Sequence, residues 1–200
     1  MYETNVGAGL PVISTLGDLI NSGDQILKLE AVLSGSLSYI FNNFRGDNSF
    51  HEIVREAKAL GYTEPDPRED LNGLDVRRKI IILAREIGLS LEKDDVDIQN
   101  VLPAKCQEVE TVDELFEVLK AEDAYFENLK KTAEAEGKVL RMVAKLDDGK
   151  ASIALESVDD THAFYSLNGS DNMVVLTTKR YHERPLVIRG PGAGAEVTAA

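Results

Sequence analysis

Asp75 and Lys79, two residues that could hold and move a proton, lie four positions apart. On a helix this spacing places both side chains on one face, within ion-pairing distance of each other. A lysine beside carboxylates can act as a general acid or base. The same spacing is also common in exposed ion pairs, which contribute only about 0.5 kcal/mol. The pair by itself therefore leaves both a catalytic and an ordinary surface role open.

The segment ahead of this pair holds carboxylates on restricted backbone. Glu64 and Asp66 each precede a proline. A residue before proline favours an extended conformation, so these side chains are held on a short, rigid approach to the helix. Fixed carboxylates are suited to binding a substrate ammonium group. The sequence offers an ordinary interpretation for several neighbours, as supporting or helix-starting charges: Asp66, Arg68, Glu69 and Asp70.

Three further segments could contact a ligand through the backbone. "SGSLSY" at 34–39 lies where a strand pattern changes to a helix pattern. Free N–H groups at such a junction suit a substrate carboxylate, although a plain helix cap fits equally well. Glycine-rich runs, "VGAGLP" at 6–11 and "GPGAGAEVTAA" at 190–200, are typical of turns. They also allow close backbone approach to a ligand, or carbonyl ligands for a hard cation.

The apolar periodicity predicts the elements that must position these residues. Spacings of three and four predict helices after Pro11, from the serines at 34–36 to Gly46, from Ser49 to Gly61, and from Leu71 to Gly88. Ser49 and Glu52 match a capping box. Alternation predicts a strand over 26–33.

The last third of the chain has the alternation of strands. Two alternating segments flank Asp148-Gly149, which predicts a hairpin, and "NMVVLTTKRY" and "PLVIRG" predict further strands. Residues 105–136 are acidic and predict helices with solvated outer faces. The sequence therefore predicts an α/β fold with α+β character, in which helices cover a mixed or partly antiparallel sheet.

Composition limits the partners that we expect. The formal net charge of -13 disfavours binding to nucleic acid or to an anionic membrane surface. No run approaches the roughly 18 apolar residues that a membrane span needs. The chain start has no secretory signal pattern. The single cysteine, Cys106, suits a reducing compartment.

In combination, the motifs resemble one enzyme family over essentially all 200 residues. "YETNVGAGLPVI", "LSGSLSYIFN", "GYTEPDPREDLNGLDVRRK" and "RGPGAGAEVTAA", in this order, resemble homoserine dehydrogenase. "EGKVLR" and "HERPLVIRGPGAG" are most similar to the form fused to an aspartate kinase. The resemblance implies reversible hydride transfer between L-homoserine with NAD(P)+ and L-aspartate 4-semialdehyde with NAD(P)H, in threonine and methionine biosynthesis.

The resemblance also implies roles for residues near the substrate. Lys79 matches the lysine that gives a proton to the aldehyde oxygen, or takes one from the hydroxyl in the reverse direction. Glu64 and Asp75 match carboxylates that hold the substrate, with Glu64 at its amino group. Ser36 lies at the substrate-side junction, where some relatives carry threonine.

Further roles implied by the resemblance concern a cation and the cofactor, NADP or NAD. Glu3 and the carbonyls of Val6, Ala8 and Leu10 match a sodium site that orders the hinge to a nucleotide-binding domain. Gly194 matches a glycine next to the cofactor.

Residues 1–200 depart from the family pattern, because they contain neither the N-terminal Rossmann domain with its glycine fingerprint nor the family's further active-site lysine. We therefore expect a substrate-binding and dimerisation domain that is nearly inactive alone. We further expect a homodimer in the cytoplasm, or in a plastid if the source is a plant. The alternative is a non-catalytic dimerisation or amino-acid-binding module that has kept the fold.

Overall fold

A six-stranded sheet forms the centre of the computed structural model, which describes residues 3–192. In spatial order the strands run β2-β4-β3-β1-β5-β6. All neighbours are antiparallel except β2 and β4, which are parallel. The predicted mixed sheet is thereby confirmed. The strands are β1 (Ile26–Val32), β2 (Val96–Ile98), β3 (Val139–Asp147), β4 (Lys150–Val158), β5 (Asn172–Thr178) and β6 (Leu186–Gly190).

Helices form most of the remaining structure between residues 3 and 192. The predicted helices after Pro11, at the serines and at Ser49 are present, as are the acidic helices in the middle of the chain. The α-helices are α1 (Val12–Asn21), α2 (Gly35–Asn43), α3 (Phe50–Ala59), α4 (Arg68–Leu71), α5 (Leu74–Glu86), α6 (Ala104–Glu108), α7 (Val112–Ala121) and α8 (Asp123–Ala135).

The helix predicted from Leu71 to Gly88 begins only at Leu74, as α5, and Leu71 is the last residue of a separate short helix, α4. Gly73 separates them with a φ of 71°. This left-handed conformation interrupts a helix and strongly favours glycine. A Cβ on Gly73 would also lie 3.5–3.6 Å from side chains of the sheet, among them Ile98 and Ile153. The break therefore lets the chain pass close to the sheet before α5 begins.

Two local predictions differ from the structure. Ser49 does not form the predicted capping box, because its hydroxyl donates to the Glu52 carboxylate over 2.7 Å instead of accepting a backbone N–H. The three-residue strand β2 was not predicted, since so short a parallel strand leaves no alternation to detect. The predicted hairpin at Asp148-Gly149 is confirmed, with φ values of 48° and 73°.

The two faces of the sheet are covered differently. Alternate residues such as Leu29, Ala31, Val174 and Leu176 belong to the main hydrophobic core with the helices, and we call this side the helix face. The opposite face carries a smaller apolar cluster that includes Phe164 and Leu167 from the segment before β5, with partners Val32, Val143, Val158, Met173 and Val175. The helix face positions the candidate site, because α2 and α5 both begin beside it.

Candidate active site

Lys79 and Asp75 form a close ion pair on α5. The Lys79 ammonium lies 2.7 Å from the Asp75 carboxylate. It also donates a hydrogen bond of 2.9 Å to the backbone carbonyl of Leu33, just beyond the end of β1. The side chain of Lys79 is 23% exposed and that of Asp75 is 53% exposed. The ammonium is therefore fixed by two acceptors while it stays accessible to a small ligand.

The sequence around α5 explains why this pair forms at this point. Asp75 lies in the first turn, where the helix dipole favours a negative charge. Val76, Ile80 and Leu83 are buried against the sheet. Because Lys79 lies next to this apolar stripe, its long side chain runs along the covered surface and ends at Leu33.

A chain of hydrogen bonds joins the start of α2 to the segment before α5. The hydroxyls of Ser34 and Ser36 lie 2.8 Å apart. Ser36 donates to one oxygen of Asp70 over 2.7 Å, and the backbone N–H of Glu64 donates to the other oxygen over 2.9 Å. Ser34 also caps α2 by accepting from the N–H of Leu37. Ser36 and Glu64 are therefore brought together through Asp70.

Asp70 is the residue of this cluster that sequence reasoning missed. Burial raises the pKa of its carboxyl, the hydrogen bonds from Ser36 and from the Glu64 N–H act in the opposite direction, and the nearby charge of Asp75 raises it further. The interpretation of Asp70 as a helix-starting charge is therefore incomplete. Its position in the sequence gave no signal, because its partner Ser36 lies 34 residues away.

Glu64 and Asp66 differ in what their side chains do. Asp66 accepts from the Nε and Nη2 of Arg68, and Arg68 also donates to the carbonyl of Val109 over 2.6 Å. The interpretation of Asp66 and Arg68 as supporting charges agrees with this geometry. The Glu64 side chain is exposed and has no hydrogen bond or ion pair with another residue in the described part of the chain. Its carboxylate is available to a ligand.

Two aromatic rings and a lysine support the loop that carries Glu64. Tyr62 stacks on Tyr39 of α2 with ring centroids 4.4 Å apart. The hydroxyl of Tyr39 donates to Glu56 over 2.9 Å. Lys58 donates to the carbonyl of Pro65. These contacts fix the approach to the site from the side of α3.

The residues of the expected sodium site lie near the start of α1. The carboxylate of Glu3 accepts the N–H of Ile13 over 2.6 Å and that of Ser14 over 2.8 Å, so it caps α1. Val6, Ala8 and Leu10 are buried. A carboxylate oxygen can accept more than one bond, so this capping leaves room for a cation ligand. The sodium site stays a prediction, and Gly194 lies outside the described residues.

Comparison with known proteins identifies the family. The profile described as homoserine dehydrogenase matches residues 11–200. This chain belongs to the homoserine dehydrogenase family. It is 50% identical over 200 residues to the maize bifunctional aspartokinase/homoserine dehydrogenase 1, chloroplastic. That alignment covers 99% of this chain and 22% of the maize protein. This chain is 47% identical to homoserine dehydrogenase of Schizosaccharomyces pombe, with 100% of this chain and 55% of that protein covered.

Solved structures of similar proteins have the same fold. A Candida auris protein of unknown function matches with a TM-score of 0.93 and 46% identity, over 98% of this chain and 57% of that chain. A hyperthermophilic archaeal homoserine dehydrogenase in complex with NADPH matches with a TM-score of 0.70 and 24% identity, over 98% of this chain and 51% of that chain. This chain thus spans about half of each of these two solved chains and of the yeast relative, and about a fifth of the maize protein. Within residues 3–192, no helix is long and apolar enough to cross a membrane.

Proposed function

We propose that this chain is the substrate-binding and catalytic part of an oxidoreductase that interconverts L-homoserine and L-aspartate 4-semialdehyde with NAD(P)(H). The observation that carries the proposal is the fixed ammonium of Lys79, held by Asp75 and the Leu33 carbonyl beside the cluster of Ser36 and Asp70. Membership of the homoserine dehydrogenase family supports it. The bound nicotinamide cofactor would supply or accept the hydride.

The site has groups that match each charge of the substrate. Homoserine is a small zwitterion with one ammonium and one carboxylate group. The accessible carboxylate of Glu64 and the half-exposed carboxylate of Asp75 would bind the ammonium. The first turn of α2 leaves backbone N–H groups without helical partners, and these would bind the carboxylate. Ser36 lies in this turn and is oriented by Asp70.

Lys79 would manage the proton of the reaction. In aldehyde reduction the carbonyl carbon gains a hydride, and Lys79 Nζ gives one proton to the carbonyl oxygen, which becomes the hydroxyl of homoserine. In the reverse direction the neutral amine takes the hydroxyl proton as the hydride leaves the carbon. The bonds to Asp75 and Leu33 hold Nζ in place through either step. Such placement provides much of the benefit of general acid–base catalysis.

The cofactor, the metal and the assembly belong to the proposal as well. The archaeal relative binds NADPH, and we propose NADP or NAD for this chain, held mostly by a nucleotide-binding domain outside residues 1–200. The homologous chains are longer, which supports this division. Residues 1–200 would then be nearly inactive alone and would form a homodimer. A cytoplasmic or plastid location and the sodium ion at Glu3 remain predictions from the resemblance.

A substrate series with the full-length protein tests the proposal. Cofactor reduction is followed with L-homoserine, with D-homoserine and with 1,3-propanediol, which lacks both charged groups. We expect turnover with L-homoserine and a loss of at least about a hundredfold in kcat/KM for the diol, since each charge-assisted contact contributes roughly 1.5–3 kcal/mol. Equal turnover of the diol would contradict the binding site, and no turnover of L-homoserine would contradict the activity.

The non-catalytic module makes a different prediction. Such a protein would bind L-homoserine without cofactor reduction. Calorimetric titration of L-homoserine into the wild-type protein and into Glu64→Ala and Asp75→Ala distinguishes the cases when it is combined with the turnover assay. Binding that depends on both carboxylates, without turnover in the full-length protein, would favour the module.

A further inference from the structure

Asn172 is a buried polar side chain with an unused acceptor. It is the first residue of β5, and it is 2% exposed. Its side-chain oxygen has no hydrogen-bond partner among residues 3–192. An unpartnered buried acceptor destabilises a protein by about 1–3 kcal/mol. Such a group in a native fold therefore calls for an explanation, and a ligand that donates a hydrogen bond is one.

The strand register places Asn172 near Leu33, whose carbonyl holds Lys79. Met173 pairs with Val32, so continuing this register places Asn172 opposite Leu33, the residue just beyond the end of β1. Side chains alternate along β5, and the side chain of Asn172 is therefore on the helix face, as are those of Val174 and Leu176. The carbonyl of Leu33 accepts a hydrogen bond from the ammonium of Lys79. Asn172 thus adjoins the place where the proton would move.

The other neighbour of Asn172 is the glycine-rich end of the chain. Asn172 pairs with Gly190 of β6, and a Cβ on Gly190 would lie 2.8 Å from a Leu10 methyl carbon. A Cβ on Gly192 would lie 2.4 Å from the carbonyl oxygen of Ser170. Gly190 and Gly192 therefore run against their neighbours with no space for a side chain. This segment leads towards residue 194, which the family resemblance places next to the cofactor.

The chemistry of the reactants indicates which one would donate to Asn172. In the proposed function the substrate ammonium is bound by carboxylates, its carboxylate by the start of α2, and its oxygen by Lys79. The remaining uncharged N–H donor on the reacting groups is the carboxamide of the nicotinamide ring. We propose that the side-chain oxygen of Asn172 accepts a hydrogen bond from this carboxamide and so orients the ring. This inference rests on the proposed function.

A cofactor analogue tests the inference by binding alone. In the acetylpyridine analogue an acetyl group replaces the carboxamide, so the N–H donor is absent. The dissociation constants of the natural oxidised cofactor and of this analogue are measured by calorimetry on the full-length protein. We expect the wild type to prefer the natural cofactor by about tenfold, the size expected for one hydrogen bond in a covered site. Asn172→Leu should bind both with nearly equal affinity.

Asn42 supplies a matched control. Its side-chain oxygen is the other buried acceptor without a partner among the described residues. Its amide nitrogen, however, donates to Ser38 and to the carbonyl of Gly169, which gives it a structural role. Asn42→Leu should lower the unfolding temperature and keep the preference for the natural cofactor. Asn172→Asp, which retains an acceptor at this position, should keep the preference as well.

Several outcomes would overturn the inference. They are a wild-type protein that shows no preference, or an Asn172→Leu variant in which both affinities fall equally, as expected if Asn172 binds only a structural water. The first needs no variant and is informative even if Asn172→Leu does not fold. If the wild type oxidises homoserine and Asn172→Leu keeps the wild-type preference for the natural cofactor, this inference alone is contradicted. An Asn172-dependent preference without homoserine turnover would contradict the proposed function instead.

Discussion

Replacement of Asp70 tests the hydrogen-bond cluster that joins Ser36 to Glu64. Asp70→Ala removes the acceptor of two hydrogen bonds, of 2.7 and 2.9 Å. Each bond to a charged acceptor contributes about 1.5–3 kcal/mol, but burial of the carboxylate offsets part of this and one bond is exposed to solvent. We therefore expect the free energy of unfolding to fall by about 1–2 kcal/mol. The kcat/KM for L-homoserine should fall at least about tenfold, because two binding groups lose a shared anchor.

Asp70→Asn separates geometry from charge. Its amide oxygen can accept from the Glu64 N–H while its amide nitrogen donates to the Ser36 hydroxyl, so the cluster keeps both bonds. The pKa of Asp70 is raised above its ordinary 3.8 by burial. A raised carboxyl pKa gives stability that is full below the ordinary value and is lost as pH rises through the raised one. The stability of Asp70→Asn relative to wild type should therefore improve as pH rises from about 4 towards neutral.

Urea unfolding followed by circular dichroism, in steps across this pH range, measures the effect. Asp66→Asn is a control of opposite sign, because the hydrogen bonds from Arg68 lower the pKa of Asp66. Relative to wild type, Asp66→Asn should lose stability as pH rises through the range below the ordinary value of 3.8, so its measurements are extended down to about pH 2. Two results would contradict these roles of Asp70. One is an equal loss of stability in Asp70→Asn and Asp70→Ala at every pH, and the other is a stability of Asp70→Asn that falls relative to wild type as pH rises.

Three further predictions concern structural groups. Burial would raise the pKa of Glu30, but the imidazole of His162 and the ammonium of Lys28, 3.7 and 2.9 Å from its carboxylate, outweigh burial and hold the pKa at about 2. The stability that the Glu30 carboxylate contributes is present above pH 4.5 and is lost as pH falls, so Glu30→Gln should lose stability less steeply than wild type between about pH 5 and pH 3 in urea titrations. Arg141 is fully buried and donates to five backbone carbonyls, so Arg141→Met should lower the free energy of unfolding by about 3 kcal/mol or more, and an unchanged urea midpoint would contradict this. Glu3→Ala should destabilise the fold by about 1 kcal/mol through the lost cap on α1, and Glu3→Gln by less, as thermal unfolding would show.

The ion pair of Asp75 and Lys79 could be predicted because its information is local. The spacing of Asp75 and Lys79 fixes their meeting wherever a helix forms, and the structure has them 2.7 Å apart. The break between α4 and α5 was hidden, because Gly73 adopts its left-handed conformation where it passes the sheet side chains Ile98 and Ile153. A periodicity of apolar residues does not report such a tertiary approach.

The rest of the candidate site depends on contacts between distant segments. Asp70 meets Ser36 across 34 residues. Asn172 comes to lie beside Leu33 only through the pairing of β1 with β5. Neither contact has a signature in spacing or composition. Glu64 and Ser36 were named from the family resemblance and general chemistry, and the structure shows that Asp70 links them.

The most direct test of the central claim is the turnover of L-homoserine by purified full-length protein and by Lys79→Met. Formation of reduced cofactor is measured at saturating L-homoserine, and unfolding temperatures confirm that both proteins are folded. We expect turnover by the wild type and a loss of roughly a hundredfold or more in kcat for Lys79→Met, the range typical when a general acid–base group is removed. A folded Lys79→Met variant with the rate of the wild type, or a folded wild type that does not oxidise L-homoserine, would contradict it.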